Sequence, residues 1–116
     1  MKLPQAVGAL AALAQETRLR VYRLLVEQGA AGIPAGDIAE RLGVAPPTLS
    51  FHLKELSHAG LVASRQDGRF VYYAADFAAM TELLEYLSEN CCASEGETCA
   101  PAELVRRRSV RRTART

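Results

Sequence analysis

The sequence predicts a mainly helical domain that carries one β-hairpin. Three observations point to this class. Apolar residues recur at three- and four-residue spacing through most of the chain. The period switches to alternation once, in residues 62–74 around Asp67-Gly68. The helical period then returns behind Asp76, a residue suited to capping a helix N-terminus. A chain of 116 residues, about half of them hydrophobic, fits one domain with a small core.

Residues 3–15 are rich in alanine and leucine, and Leu3, Val7, Leu10 and Ala14 form a helical stripe that Leu13 widens. Residues 17–28 predict a second helix, with Leu19, Tyr22, Leu25 and Val26 inward and Arg18, Arg23 and part of Arg20 outward. Gly29 ends it. The stretch from Gly29 to Pro34 reads as a loop. Residues 35–42 make a short helix with Ile38, Ala39 and Leu42 inward, stopped by Gly43. Pro46 and Pro47 open the next helix, where the missing N–H costs nothing, and Leu49, Leu53 and Leu56 are its buried stripe. It runs to about Ala59, before Gly60. Residues 62–66 and 69–74 are β-rich runs on either side of Asp67-Gly68, a strong hairpin signal because both turn residues tolerate positive φ. The last helix spans residues 77–90, with Phe77, Met80, Leu84 and Leu87 in one stripe and Leu83 and Tyr86 beside it. The order is thus four helices, a hairpin and a fifth helix. The terminal helices carry more apolar width than one small core can use, which predicts a homodimer paired through them.

The formal charge is only +1, yet it is unevenly spread. Residues 1–102 hold 8 Lys/Arg against 12 Asp/Glu, and residues 103–116 hold 6 Arg against one Glu. Any nucleic-acid surface in the folded part must come from local placement of cations. Lys2 and the apolar run to Ala14 faintly mimic a secretion signal, but Pro4, Gln5 and Gly8 interrupt it. No run approaches the ~20 apolar residues of a membrane span. The expected compartment is the cytoplasm.

Residues 35–42, the turn at Gly43 and residues 46–59 have the form of a helix-turn-helix, whose second helix enters the major groove with its N-terminal residues at the bases. The candidate contacts on that helix are Pro47, Thr48, Ser50, Phe51, His52 and Lys54, and the positions expected to face outward are Thr48, Ser50, Phe51, His52, Lys54 and Glu55. Thr48 and Ser50 suit base edges or phosphates, His52 can donate to either, and Lys54 suits phosphate. The hairpin would be a wing, with Arg65 and Arg69 beside its tip reaching the backbone or minor groove. A helical domain with a hairpin need not bind DNA, however. Ser50 can bond back to its own helix, a lone histidine is more often structural, and Arg65 and Arg69 can be solvated edge-strand charges.

Two stretches carry a family resemblance. One is LGVAPPTLSFHLKELSHAGLVASRQDGRFVYYAA at residues 42–75; the other is ALAQETRLRVYRLLVEQG at residues 12–29. Leu49, Ser50, His52 and Leu53, then Ala59-Gly60-Leu61-Val62, then Asp67-Gly68-Arg69 resemble the winged helix-turn-helix of ArsR/SmtB-type repressors. The resemblance covers residues 3–90. It implies a homodimeric repressor on a pseudo-palindromic operator, with half-sites about 34 Å apart.

Cys91, Cys92 and Cys99 are the chain's three cysteines, and they fall within nine residues. An odd count argues against a closed disulfide framework, and thiols kept for a ligand in a reducing compartment are the better reading. Soft thiolates select soft ions. Zinc asks for four ligands in a closed site, whereas trivalent arsenic or antimony needs only three sulfurs. The resemblance points the same way. Of two other metal positions used in that family, residues 33–37 contain no cysteine, and the last helix has Asp76, Glu82, Glu85 and Glu89 but no histidine. An Asn-Cys-Cys pair after the last helix with a third cysteine further on resembles an arsenite-sensing subgroup. The metal-binding candidates are therefore Cys91, Cys92 and Cys99, with As(III) or Sb(III) as inducer and no organic cofactor. Cys99 decides between a three-thiol site and a two-thiol site that would favour methylarsenite. A redox sensor, or a sensor of cadmium, lead or zinc, would use the same cysteines, and incidental thiols in a tail are the bland alternative. An enzyme is disfavoured, because the chain shows no cofactor loop and no nucleophile–base pair. The organisation expected is a DNA-binding and dimerisation domain at 1–90, a ligand segment at 91–100 and a basic, disordered tail at 101–116.

Overall fold

The computed structural model describes residues 1–91. In chain order the elements are α1 (Leu3–Leu13), α2 (Glu16–Gln28), β1 (Ile33–Pro34), α3 (Ala35–Leu42), α4 (Pro46–His58), β2 (Val62–Asp67), β3 (Phe70–Ala75) and α5 (Phe77–Ser88). This is the winged helix-turn-helix predicted from the sequence, with helix ends within two residues of expectation.

Helix α2 is the hub. It packs against α1, α3, α4 and β3, and Val21 and Leu25 on its inner face are fully buried. Opposite them lie Leu49, Leu53 and Leu56 of α4 and Ile38 of α3, each almost wholly excluded from water. Each such side chain contributes about 1.5–3 kcal/mol by leaving water. Left-handed Gly43 (φ 65°) stops α3, and the amide of Val44 reaches back to the Ala39 carbonyl at 3.0 Å. That closes the last turn of α3 and sets the short link to α4. Ala45 precedes the prolines that open α4. Asp76 caps α5 by accepting from the Ala79 amide at 3.0 Å, and its own amide donates to the Leu61 carbonyl at 2.9 Å.

Four expectations need correction. The loop at residues 29–34 ends in a strand, β1, which pairs antiparallel with β3 through Ile33↔Tyr73 and Pro34↔Tyr72. The sheet is therefore three-stranded, in the order β1-β3-β2. Two residues are too few to show a period, and it is the burial of Ile33 that fixes them. The hairpin turn is also one residue later than Asp67-Gly68. Asp67 pairs with Phe70, so Gly68-Arg69 is the loop. Gly68 takes positive φ (64°), and neither Asp67 nor Arg69 does, the pattern of a type II′ loop.

The third correction concerns Leu19, and the structure also shows which apolar face each terminal helix turns inward, a point the sequence pattern leaves open. In α1 the buried residues are Ala6, Ala9 and Ala12, while Leu3, Val7 and Leu10 are exposed. Small residues let α1 approach α2 and α4 closely, which leaves its large residues outside. In α5 Leu83 is buried, Phe77, Met80 and Tyr86 are half-buried, and Leu87 is exposed. Likewise Leu19 of α2 is 43% exposed and Val21 takes its place in the core. Fourth, His52 faces inward, with 8% of its surface accessible. It lies three residues from Leu49 and four from Leu56, on the margin of the same buried stripe.

The approach of the residue 29–32 loop to β3 depends on Gly32. A Cβ there would sit 2.5 Å from the Tyr73 carbonyl oxygen, and the residue has φ 75°. Gly36 has ordinary φ and open space around it. Gly32→Ala is expected to destabilise the domain by about 2–4 kcal/mol, combining overpacking with left-handed strain. Gly36→Ala, inside a helix, is expected to be neutral or stabilising by about 0.5–1 kcal/mol. Urea midpoints of the two variants check the contrast.

Candidate nucleic-acid interface and thiol segment

At 100° per residue, the positions of α4 opposite Leu49, Leu53 and Leu56 are Pro47, Phe51, Lys54 and His58. All four are exposed, and so are Thr48 and Ser50 on the flanks. The outward ridge therefore runs from an apolar N-terminal half, Pro47 and Phe51, to a basic C-terminal half, Lys54 and His58. A cation near a helix C-terminus is favoured by the helix dipole. His58 was absent from the sequence-derived set. Its four-residue spacing from Lys54 is the signal that places it on the same ridge.

His52 does not join that ridge. Its Nδ1 lies 3.4 Å from an Arg18 guanidinium nitrogen. Guanidinium can only donate, so this long contact uses the Nδ1 lone pair. The same guanidinium donates through Nε to the Ala12 carbonyl at 2.7 Å. The Arg18 amide donates to Gln15 Oε1 at 2.8 Å, which caps α2. Arg18 thus ties the last turn of α1 and the first turn of α2 to the recognition helix. The sequence reading had placed Arg18 outward. It is half-buried because its guanidinium has a carbonyl and an imidazole to bind.

The wing is more anchored than its charges imply. Arg65 donates to the Ala31 carbonyl at 2.9 Å and stacks over the Tyr72 ring, 4.6 Å from its centroid. These contacts hold β2 to the residue 29–32 loop. Arg69 sits in the exposed turn, and Phe70 beside it is 57% exposed. Of the two predicted wing arginines, Arg69 is the one at the tip.

Behind α4, Tyr22 is buried in the core, and its hydroxyl lacks a hydrogen-bond partner among the described residues. Burial, with the Asp76 carboxylate adding to it, holds the phenol above its ordinary pKa. It stays neutral and acts as a packing residue.

Of the thiol segment, only Cys91 lies within the described residues. It follows Asn90, which has a left-handed φ of 59°, and its amide donates to the Ser88 carbonyl at 3.0 Å. The chain thus turns sharply off the end of α5 at Cys91. Cys92, Cys99 and the arginine-rich residues 103–116 lie outside the described residues. Among the described residues, no three His, Cys, Asp or Glu side chains gather as a metal site. No described helix is long and apolar enough to cross a membrane.

Comparison with known proteins gives this geometry its context. Residues 13–65 match the model of a helix-turn-helix domain. The nodulation protein NolR of Rhizobium meliloti is 33% identical over 84 residues, which span 72% of this chain and 66% of NolR. A solved structure described as a possible transcriptional regulator for arsenical resistance is 32% identical with a TM-score of 0.59, covering 69% of this chain and 80% of that one. An ArsR-like transcriptional regulator from Rhodococcus sp. RHA1 superposes with a TM-score of 0.65 at 29% identity, over 96% of this chain and 92% of that one. The homodimeric winged helix-turn-helix domain of Mb0332 from Mycobacterium bovis, a possible ArsR-family regulator, has a TM-score of 0.61 at 28% identity, over 82% and 88% of the two chains. The chain belongs to the ArsR family of DNA-binding winged helix-turn-helix transcription regulators.

Proposed function

We propose that this chain is a cytoplasmic, homodimeric repressor, released from a pseudo-palindromic operator when As(III) or Sb(III) binds Cys91, Cys92 and Cys99. The observation that carries the reading is the position of Cys91. It stands at the turn that ends α5, a helix whose outer face exposes Leu84 and Leu87. Leu3, Val7 and Leu10 of α1 offer a second exposed apolar stripe. The two stripes are the surface a second copy would cover, and a ligand gripped at the end of α5 would act on that interface. The name of the arsenical-resistance neighbour supports the ligand class.

When bound, the metalloid would supply three sulfur bonds that draw the residues after α5 against its end. The chain's own contribution is mechanical. Asp76 pins the start of α5 to the end of the recognition helix through Leu61, so a shift of α5 is felt at α4. The ligand releases DNA only if it binds the DNA-free dimer more tightly, and by the same factor that it lowers operator affinity.

A second reading uses the same clustered cysteines, three within nine residues. In it, peroxide takes two electrons and two protons from two thiols, giving a disulfide and two waters, and the oxidised dimer leaves the operator.

Operator-DNA anisotropy separates these readings. Saturating arsenite is expected to weaken operator binding by roughly 10- to 100-fold in the reduced protein, and Cys91→Ser or Cys92→Ser to abolish the response. Release by peroxide alone, reversed by dithiothreitol, would instead establish the redox reading. An operator affinity indifferent to both would sink the sensor idea.

The interface is tested separately. Leu10→Glu and Leu87→Glu each place two charges in a symmetric contact, so either is expected to raise the dimer dissociation constant at least roughly 100-fold. Sedimentation would then show monomer, with specific DNA binding lost. A variant that remains dimeric would locate the interface elsewhere.

A further inference from the structure

Resting on the DNA-binding reading above, we propose that Phe51 is a base-reading residue that recognises the 5-methyl group of thymine in the major groove. The outward ridge of α4 is unusual in composition. A recognition helix that only held phosphates would carry cations along its outer face. Here the N-terminal half of that face is apolar, and Phe51 keeps 56% of its surface in water. A single exposed apolar side chain is ordinary on a protein surface. This one stands one turn from exposed Pro47, on the line that points directly away from the core.

The position matches a chemical need. The N-terminal part of a recognition helix goes deepest into the major groove, and the rest lies nearer the phosphates. Lys54 and His58 occupy the shallower half and suit backbone oxygens. Phe51 has no hydrogen-bonding group, so it can draw information from only one kind of base edge. The thymine methyl is the apolar feature of the unmodified major groove.

The ring also has an aromatic neighbour on its own helix. Its centroid lies 5.6 Å from that of His52, with the planes at 64°, an edge-on contact. The Nδ1 edge of His52 lies against Arg18, which is itself fixed to the Ala12 carbonyl. A ring braced in this way loses little freedom on docking, which favours selective contact over general stickiness. His52 and Arg18 are thus positioning residues for Phe51.

The test replaces single methyl groups. A preferred duplex is first selected from random DNA by the full-length wild-type protein. Each thymine of that duplex is then replaced by deoxyuridine, which removes the methyl and leaves every hydrogen bond intact. Wild-type protein is expected to lose about fourfold in affinity per methyl removed at one thymine in each half-site. Phe51→Ala is expected to bind all the duplexes alike, and Phe51→Leu to retain part of the discrimination. Because Phe51 is exposed, both variants should keep the wild-type circular dichroism and the wild-type salt dependence of binding. The proposal is overturned if no deoxyuridine changes wild-type affinity more than about twofold, or if Phe51→Ala suffers the same loss as wild type. Failure to select any preferred duplex would overturn the DNA-reading function and this proposal together, which distinguishes the two failures.

Discussion

The packing of α2 against α4 is the constraint on which the rest depends. Val21 and Leu25 meet the stripe of Leu49, Leu53 and Leu56 without admitting water. That contact fixes the rotation of α4 about its own axis. Once the leucines point in, Pro47, Phe51, Lys54 and His58 must point out, because the helix period leaves them nowhere else. The outward ridge of α4 is in this sense a by-product of the core. A leucine truncated in that stripe would cost about 2–5 kcal/mol, and it would also loosen the aim of every residue on the far side.

The terminal helices follow a different logic. In α1 the small residues are inside and the large ones outside, the reverse of what a lone domain needs. Water-exposed Leu3, Val7 and Leu10 make sense only as half of something larger. The same holds for Leu84 and Leu87 on α5. The monomer's core therefore ends at the alanines of α1 and at Leu83 of α5. The helices that frame the domain are divided between stabilising it and offering it to a partner.

Much of this was legible in the sequence, for identifiable reasons. The four-residue spacing of leucines in α4 and the glycines and prolines that bound it are local signals, and they placed the recognition helix within a residue. The hairpin was legible from alternation, but its turn was not. Asp-Gly admits two loop frames, and cross-strand pairing of Asp67 with Phe70 chose the later one. The two-residue strand β1 exists only because β3 runs beside it, so nothing within Ile33-Pro34 could announce it. Which face of α1 turns inward was not legible, because hydrophobicity ranks leucine above alanine, whereas close helix packing favours small residues. In the candidate site, Phe51, Lys54 and Arg69 are where the spacing put them. His52 was misplaced by treating a polar residue as an outward one. Its inward placement depends on Arg18, 34 residues away in sequence, a pairing that no local pattern encodes.

The Arg18 contacts also bear on how a distant event could reach α4. Under the proposed function, a ligand acts at the end of α5, and α5 packs on α1. The last turn of α1 is held to Arg18 through the Ala12 carbonyl, and Arg18 is held to His52 beneath the recognition helix. The other end of α5 is bonded to Leu61, just past α4. The recognition helix is therefore gripped at two points, one on its buried flank and one at its C-terminal end, and each leads back to α5 by a short packed path. Coupling between sites needs an element with two arrangements that both sites bias. Neither grip alone distinguishes a rotation of α4 from a translation of the whole domain. Under the proposed function, the two grips together would turn a displacement of α5 into a tilt of α4, because one point would be pulled from the side and the other from the end. Such a tilt would move the N-terminal residues of α4 furthest, whereas Arg65 ties the wing to the Ala31 loop.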